Sequence, residues 1–358
     1  MGLFDVLKGV GRAAWLTHKD ETVAARDCLA DVPGVAIGHA EDSVACTGCT
    51  VILFPTGATG GVDIRGRASG TRALGPLEPT HLVQQVHAVC MAGGSSYGLD
   101  AAGGVMSCLE RQGIGFPVRV TTVPIVPTAI IFDLSLGKPD VRPDVAMGYA
   151  ATEAAIQEAS PQGNVGVGVG ATVGKLFGIS RGMKGGFGTA SSREPGGIIV
   201  GAAAAVNAFG DVRDPVSGRL LAGARDENGT RLVDTAKCMR QGASRSTFGE
   251  ENTTIGAVVV GGAMSREECI HVARMAQTGL ARVISPAHTN FDGDVVFAFS
   301  MGGEPADVNI AGLLAQDALA RAIGRAVIYA KRVEDLPAAC DLEPLDPLEW
   351  EATIADEA

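Results

Sequence analysis

The segment from Asn252 to Ser300 decides the fold, and it reads NTTIGAVVV (252–260), GGAMSREECIHVARMAQTGLARVI (261–284) and SPAHTNFDGDVVFAFS (285–300). TTIGAVVV and VVFAFS are short apolar runs rich in β-branched residues, which predicts strands buried on both faces. The residues between them have helical spacing, and Ser265 with Glu268 forms a capping box that predicts where the helix begins. This strand–helix–strand order predicts sheets covered by helices.

The same patterns continue upstream and downstream of this segment. Further buried strands are predicted in GCTVILF (48–54), PVRVTTVPIV (117–126) and GGIIVGAAAAVNAF (196–209). Helices are predicted in PTHLVQQVHAVCMA (79–92), YGLDAAGGVMSCLERQ (97–112), RPDVAMGYAATEAAIQEA (142–159) and DVNIAGLLAQDALARAIGRAVIYAKR (307–332). No repeat or long linker divides them, so we predict one α/β catalytic domain over 31–331, after a lead-in (1–30) and before an acidic surface tail (332–358).

Composition excludes several classes of protein. A net charge of −11 argues against a nucleic-acid-binding surface, and no apolar run approaches the roughly 20 residues of a membrane helix. The N-terminus has no signal-peptide pattern, so we expect a cytoplasmic protein whose eight cysteines are reduced. Cys46-x-x-Cys49 lacks the second pair or histidines of a zinc site. We therefore expect no metal and no cofactor.

A glycine-rich segment, GVGVGATVGK (166–175), looks like a phosphate-binding loop. The Walker motif requires Gly at Val169 and Ser or Thr at Leu176, so nucleotide hydrolysis is rejected. Lys175 is the lone charge between Gln162 and Ile179. It is a candidate site residue, and a glycine-rich turn with a solvated lysine is the alternative.

Gly94-x-Ser96-x-Gly98 matches the nucleophile elbow of serine hydrolases, at the start of a predicted helix. A triad in the order Ser, Asp, His could be completed by Asp234 with His271 or His288, although no HGGG-type oxyanion segment is present. Ser96 is therefore a rival nucleophile. Tyr97, within the same motif, could instead donate a hydrogen bond toward a developing oxyanion.

Two carboxylates, Asp292 and Asp294, precede the strand VVFAFS. An Asp-x-Asp pair can bind a metal, but the calcium-loop pattern is missing, and such a pair at a strand entrance also serves as a turn cap. Its third role is to orient and polarise a neighbouring nucleophile or amine.

The residues Glu250-Glu251-Asn252-Thr253-Thr254 join a polar stretch (242–251) to a buried strand. Two threonines opening a strand are ordinary for β structure. If the bond before Thr253 is strained, however, the hydroxyl oxygen can attack the Asn252 carbonyl, and hydrolysis of the resulting ester frees the amine of Thr253. That amine, with an ordinary pKa of about 7.7–8.0, can act as the base for its own hydroxyl.

The chain resembles the L-aminopeptidase/D-esterase (β-peptidyl aminopeptidase) family, and within it the aminohexanoate-oligomer hydrolases known as nylon hydrolases. Asn252-Thr253 favours that subfamily, because the aminopeptidases resemble one another in having Gly-Ser there. The matching segments run from about Asp31 to about Lys331, and they are DVPGVAIGHA, TGCTVILF, AGGSSYGLDAAGGV, VPIVPTAIIFDL, NVGVGVGATVGK, AAVNAFGD, NTTIGAVVV and GLARVISPAHTNFDGDVVFAFS.

This resemblance implies an αββα sandwich like that of N-terminal-nucleophile hydrolases, with self-cleavage between Asn252 and Thr253 into an α fragment (1–252) and a β fragment (253–358). It implies hydrolysis of a small amide or peptide substrate and association of αβ units into homotetramers. By matching motifs, the catalytic residues implied are Thr253, Lys175, Asn207, Asp292, Asp294 and the oxyanion-side Tyr97. Asn207 carries the neutral amide donor that an oxyanion site requires, and a core amide satisfied by the backbone is the alternative.

Three features limit or compete with this interpretation. Asn290 stands where nylon hydrolases resemble one another in having Asp after His-Thr, which bears on how the substrate amine is bound. The ornithine acetyltransferases share the architecture, but their Lys-Gly-x-Gly-Met-x-x-Pro lead is absent, since Gly249-Glu250-Glu251-Asn252 precedes Thr253. A small-molecule binding protein without chemistry is a further alternative, and it predicts an uncut chain.

Overall fold

The computed structural model describes residues 27–195, 197–245 and 252–344. Its helices are α1 (Ala101–Arg111), α2 (Val145–Glu153), α3 (Thr235–Arg240), α4 (Arg266–Val283) and α5 (Val308–Ile328). Its strands are β1 (Ala36–Asp42), β2 (Thr47–Ile64), β3 (Thr71–Arg72), β4 (Val86–Ala92), β5 (Phe116–Pro117), β6 (Thr122–Val123), β7 (Thr128–Ile130), β8 (Thr172–Val173), β9 (Met183–Lys184), β10 (Gly186–Arg193), β11 (Ile199–Asn207), β12 (Asp211–Arg213), β13 (Leu220–Ala222), β14 (Thr253–Val260), β15 (Ile284–Ser285) and β16 (Val295–Ser300).

Strand β2 is long enough to belong to two sheets. Its first half pairs with β1 and β4, and its second half pairs antiparallel with β16. The second sheet therefore has the order β10-β11-β14-β16-β2, and the first continues from β2 through β4 and β7 to β3. Within the second sheet, β14 is antiparallel to β11 and parallel to β16.

The two sheets face each other across a buried apolar layer. Ile52 and Met91 of the first sheet share this layer with Ala205, Ile255 and Phe297 of the second. Helices α1 and α2 cover the outer face of the first sheet, and α4 and α5 cover that of the second. The predicted αββα sandwich is what these layers form.

Strand β14 is buried on both of its faces, which explains why its sequence is apolar at nearly every position. Ile255, Ala257 and Val259 face the layer between the sheets, whereas Val258 and Val260 face α4 and α5. Thr253 has the same parity as Ile255, so its side chain projects toward the space between the sheets. The fold thus places a hydroxyl at the mouth of the inter-sheet layer.

Several predicted elements are confirmed, and two are wrong. The capping box of Ser265 and Glu268 does begin α4. The helix predicted at 79–92 is wrong: Val86–Ala92 form strand β4, and all seven residues are buried, so burial on both faces of a sheet explains their apolar character. The buried strand predicted at 117–126 is an exposed hairpin of β5 and β6, in which Val120 is 91% exposed.

Both predicted ends contribute to the packed body where the structure describes them. Asp27 forms ion pairs with Arg321 and Arg325 of α5. Leu336 and Ala338, which fall in the predicted surface tail, are buried, and the carbonyl of Pro337 accepts a hydrogen bond from the N–H of Lys184 at 2.8 Å. Within the described ranges no helix is long and apolar enough to cross a membrane.

Candidate active site

Thr253 is the first residue of β14 and is almost fully buried. Its hydroxyl donates a hydrogen bond to the carbonyl oxygen of Asn252 at 2.7 Å. In the antiparallel ladder it stands directly opposite Asn207, the last residue of β11. Side chains directly opposite each other lie on the same face of a sheet, about 5 Å apart at Cβ, so Asn207 and Thr253 are neighbours.

Lys175 reaches this pair from the glycine-rich segment. Its Nζ donates to Oδ1 of Asn207 at 2.8 Å and to the Asn207 carbonyl at 3.3 Å. The lysine is buried, so the alternative of a solvated lysine is wrong. Thr172 also donates to Oδ1 through its N–H, and Nδ2 of Asn207 donates to the carbonyl of Phe132 at 3.1 Å. The amide of Asn207 is therefore fixed by contacts on both sides.

Asp292 lies beside the same strand end and is held by three donors. Its Oδ1 accepts from the N–H of Phe209 at 3.2 Å, and its Oδ2 accepts from Thr289 through the N–H at 3.0 Å and the hydroxyl at 2.6 Å. Burial, and next the charge of Asp294, raise the pKa of Asp292 to about 6. A carboxylate with this pKa can exchange a proton near neutral pH.

Asp294 faces the second residue of β14. Its Oδ1 accepts the N–H of Thr254 at 2.8 Å, and its Oδ2 accepts the N–H of His288 at 3.1 Å and the ring Nδ1–H at 2.8 Å. The two aspartates therefore fix the start of β14 and the loop before β16 relative to each other. Every donor they bind lies within the site.

A parallel bridge connects Asn252 with Asp292. The N–H of Asn252 donates to the carbonyl of Phe291 at 2.9 Å, and the N–H of Gly293 donates to the carbonyl of Asn252 at 2.7 Å. Gly293 and the supporting residues Thr172 and Thr289 were not predicted from the sequence, and His288 was considered only as a partner of Ser96. No side-chain pattern signals a backbone N–H, although His288 and Thr289 lie only four and three residues before Asp292.

Tyr97 and the elbow are not brought to this cluster. Tyr97 is 58% exposed, and its ring lies 3.8 Å from the guanidinium of Arg142. Ser96 is exposed. Of its proposed partners, Asp234 caps α3 and pairs with Arg213, and His288 binds Asp294. His271 is an exposed residue of α4, which covers the other sheet. The Ser96 triad is therefore not assembled.

Glu250 and Glu251, which precede the predicted cleavage bond, lie outside the described residues. Among the residues that are described, no group of three or more His, Cys, Asp or Glu side chains could hold a metal ion. The carboxyl oxygens of Asp292 and Asp294 accept hydrogen bonds from protein donors, as an orienting pair does.

Comparison with known proteins agrees with the fold. The chain is 40% identical to an uncharacterised aminopeptidase of Mycobacterium leprae over 90% of this chain and 95% of that protein. It is 32% identical to a 6-aminohexanoate-oligomer endohydrolase of a Kocuria species, covering 82% of this chain and 80% of the relative. The solved L-aminopeptidase D-Ala-esterase/amidase of Ochrobactrum anthropi, described as a variant of the Ntn hydrolase fold, superposes with a TM-score of 0.62 at 19% identity, covering 92% and 94% of the two chains.

The αββα layers, the buried polar cluster at the mouth of β14 and these relatives together define a hydrolase of amide or peptide bonds with an Ntn-like fold. The model of peptidase family S58 matches residues 27–338, and the chain belongs to that family. The family resemblance drawn from the sequence segments is thereby confirmed.

Proposed function

We propose that the chain cuts itself before Thr253 and then uses Thr253 as the N-terminal nucleophile of an amidase. The observation that carries the proposal is the contact of 2.7 Å between the Thr253 hydroxyl and the carbonyl oxygen of Asn252. This contact is buried beside Asn207 and between the elements that carry Asp292 and Asp294. Burial keeps bulk water from the hydroxyl while the contact holds it against the bond to be cut.

Self-cleavage begins with an acyl shift, in which two bonds form and two break, and ends with hydrolysis of an ester. The Thr253 Oγ attacks the Asn252 carbonyl carbon, the C–N bond breaks, and the hydroxyl proton goes to the nitrogen, which leaves an ester and a free α-amine. Water then adds to the ester, returns the hydroxyl to Thr253 and leaves Asn252 with a terminal carboxylate. The γ-methyl of Thr253 restricts the rotamer and so favours the attacking position.

During turnover Thr253 again forms an ester through Oγ, this time with the acyl group of the substrate. The free α-amine of Thr253 takes the proton of its own hydroxyl, and Oγ attacks the substrate carbonyl. The substrate C–N bond then breaks, and the leaving amine takes the proton from the Thr253 ammonium. Water hydrolyses the resulting ester, which releases the acyl product and returns the hydroxyl to Thr253. Lys175 supplies positive charge next to Asn207, across the ladder from the nucleophile. Asp294, bound to the N–H of Thr254, holds negative charge near the ammonium that forms. The oxyanion role of Tyr97 stays a prediction.

The names of the relatives support a proposal for the substrate class. One is named an aminopeptidase and another a 6-aminohexanoate-oligomer endohydrolase, so we propose small peptide-like or oligo-amide substrates. A panel of β-peptides, D-residue amides, dipeptides and 6-aminohexanoate oligomers, assayed for released amine, tests this class. Activity toward esters but no amide in the panel would contradict it.

The self-cleavage is tested on the unmodified protein by intact-mass measurement together with N-terminal sequencing of every species. The expected result is two fragments, one of which begins Thr-Thr-Ile-Gly. An active protein that stays a single chain of 36.5 kDa would contradict the proposal. Homotetramers of αβ units also stay a prediction, which sedimentation tests.

A further inference from the structure

Within the described part of the chain, the carbonyl oxygen of Asn252 accepts hydrogen bonds from Thr253 and Gly293. One comes from the Thr253 hydroxyl at 2.7 Å, and the other comes from the N–H of Gly293, also at 2.7 Å. When the hydroxyl oxygen attacks the carbonyl carbon, the first contact is lost, because that oxygen becomes bonded to the carbon. The contact from Gly293 is not consumed by the reaction and stays available as negative charge develops on the oxygen.

The side chains predicted to stabilise an oxyanion point elsewhere. Nδ2 of Asn207 donates to the carbonyl of Phe132, and Tyr97 is exposed against Arg142. In contrast, the N–H of Gly293 already donates a hydrogen bond to the carbonyl oxygen of Asn252, whose peptide bond is to be cut.

The N–H of Gly293 is held rigidly in this position. The carbonyl of Asp292, in the same peptide group, accepts hydrogen bonds from the N–H groups of Arg67 at 2.8 Å and Ala68 at 3.1 Å. A Cβ placed on Gly293 would lie 2.5 Å from the carbonyl oxygen of Ala68, so only glycine fits here without movement of the backbone. A donor fixed before the reaction stabilises developing charge without reorganisation.

We propose that the N–H of Gly293 is the oxyanion donor for self-cleavage at Asn252-Thr253, an inference that rests on the proposed self-cleavage. In the tetrahedral intermediate the Oγ–C bond has formed, the electron pair of the C=O double bond is on oxygen, and Gly293 donates to that oxygen. When the intermediate collapses, the electron pair re-forms the C=O double bond and the C–N bond breaks. The proton of the Thr253 hydroxyl goes to the nitrogen of Thr253. Gly293 is unchanged throughout.

The sharpest test removes the N–H and little else. Glycolic acid in place of Gly293, introduced during cell-free translation by stop-codon suppression, replaces the amide by an ester. We expect self-cleavage about 10²-fold slower than in the parent, as for other single oxyanion donors. Glycolic acid at Gly302, whose N–H contacts the Ser300 hydroxyl at 3.3 Å, is the control and should cleave at the parental rate. A rate within about threefold of the parent for the Gly293 ester would overturn the proposal.

A second test uses ordinary substitutions. Gly293→Ala should retard cleavage at least tenfold, because its Cβ displaces the N–H. Gly279→Ala is the matched control, since its Cβ would meet the carbonyl of Gln316 at 2.3 Å but lies between α4 and α5. Equal retardation in both folded variants would assign the effect to general destabilisation and overturn the proposal. If Thr253→Ala alone abolishes cleavage while both Gly293 variants cleave normally, self-cleavage stands and its donor lies elsewhere.

Discussion

Two strand ends in this molecule offer a hydroxyl, and they differ in what surrounds it. At the end of β4, Ser96 lies in a short 3₁₀ turn and is exposed. The nearby carboxylate of Asp133 is engaged with the N–H of Gly94 at 2.6 Å and so shapes the turn. At the start of β14, the Thr253 hydroxyl is buried against the carbonyl of its own peptide bond.

The difference shows that the residue types of a motif indicate a nucleophile less well than the groups that surround its hydroxyl do. The Ser96 elbow has the right sequence and the right strand–turn–helix context, yet its candidate partners Asp234 and His288 bind other residues. Thr253 has no distinctive motif by itself, yet a lysine, an amide and two carboxylates are gathered around its strand end. Reactivity of a weak nucleophile depends on such neighbours.

The largest expected effect in this comparison comes from Thr253→Ala. Without the hydroxyl neither the acyl shift nor the acyl-enzyme can form, so the protein should stay a single chain and lose at least about 10³-fold in kcat/KM. Thr253→Ser is the control: it keeps the oxygen and loses the γ-methyl, so cleavage should be slower but not abolished. Mass spectrometry and an amide assay check both variants. Cleavage of the Thr253→Ala protein at this bond would contradict the proposal that the Thr253 hydroxyl is the nucleophile.

The next effect is expected at Lys175. Lys175→Met removes the ammonium from Asn207 Oδ1 while keeping an unbranched side chain, and it should lower kcat/KM about 10²-fold. Lys138→Met, at an exposed lysine, is the control and should retain activity. The assay uses cleaved enzyme with intact folding by circular dichroism. Equal activity of the two variants would show that charge at Asn207 is not required.

A pH-dependent effect on stability is expected from Asp292, whose pKa in the native state is raised to about 6 from 3.8. Between these values the native state binds more protons than the unfolded state, so the free energy of unfolding falls as pH rises through the window. Asp292→Asn lacks this titration. Both proteins are compared in the Thr253→Ala background. As the pH rises from 4 to 6.5, the free energy of unfolding of the Asp292→Asn variant should increase by on the order of 1 kcal/mol relative to that of the protein that keeps Asp292. Urea unfolding measures it, and a pH-independent difference would contradict it.

The smallest expected effect is that of Ser96→Ala. Because Ser96 is exposed and its triad is not assembled, cleavage and turnover should change by less than about twofold. Loss of turnover in a folded, cleaved Ser96→Ala protein would restore the elbow as the nucleophile and reverse the comparison.

The fold was largely predictable where an element has a period or a cap. Helix α4 has both, and its start was predicted from Ser265 and Glu268. Strand β4 was not predictable in this way, because every residue from Val86 to Ala92 is buried and the run has neither helical nor alternating polarity. Val118 and Val120 have the composition of a buried strand but lie exposed in the hairpin, since burial depends on what covers a segment.

The site could be predicted only for its side chains. Lys175, Asn207, Asp292 and Asp294 came from the family resemblance, and the structure places them around the start of β14. Tyr97 came from the same source, but its ring lies in solvent. The N–H of Gly293 reaches Asn252 because of the bridge between Asn252 and Asp292. That bridge pairs residues distant in sequence through their backbones, so no residue type predicts it.

The strand order β10-β11-β14-β16-β2 has a consequence for a chain cut before Thr253. Strands β14 and β16 then belong to the short fragment, while β11 and β2 on either side of them belong to the long one. The fragments interleave within this sheet, and β15 of the short fragment also pairs with β12 of the long one. Among the described strands, separation therefore opens three ladders. Refolding of the cut protein becomes a second-order process, and its rate should depend on concentration, whereas the uncut chain refolds at a rate that does not. In a chain cut in this way, complete unfolding in dilute solution would separate the two fragments, and activity would return only after they meet again.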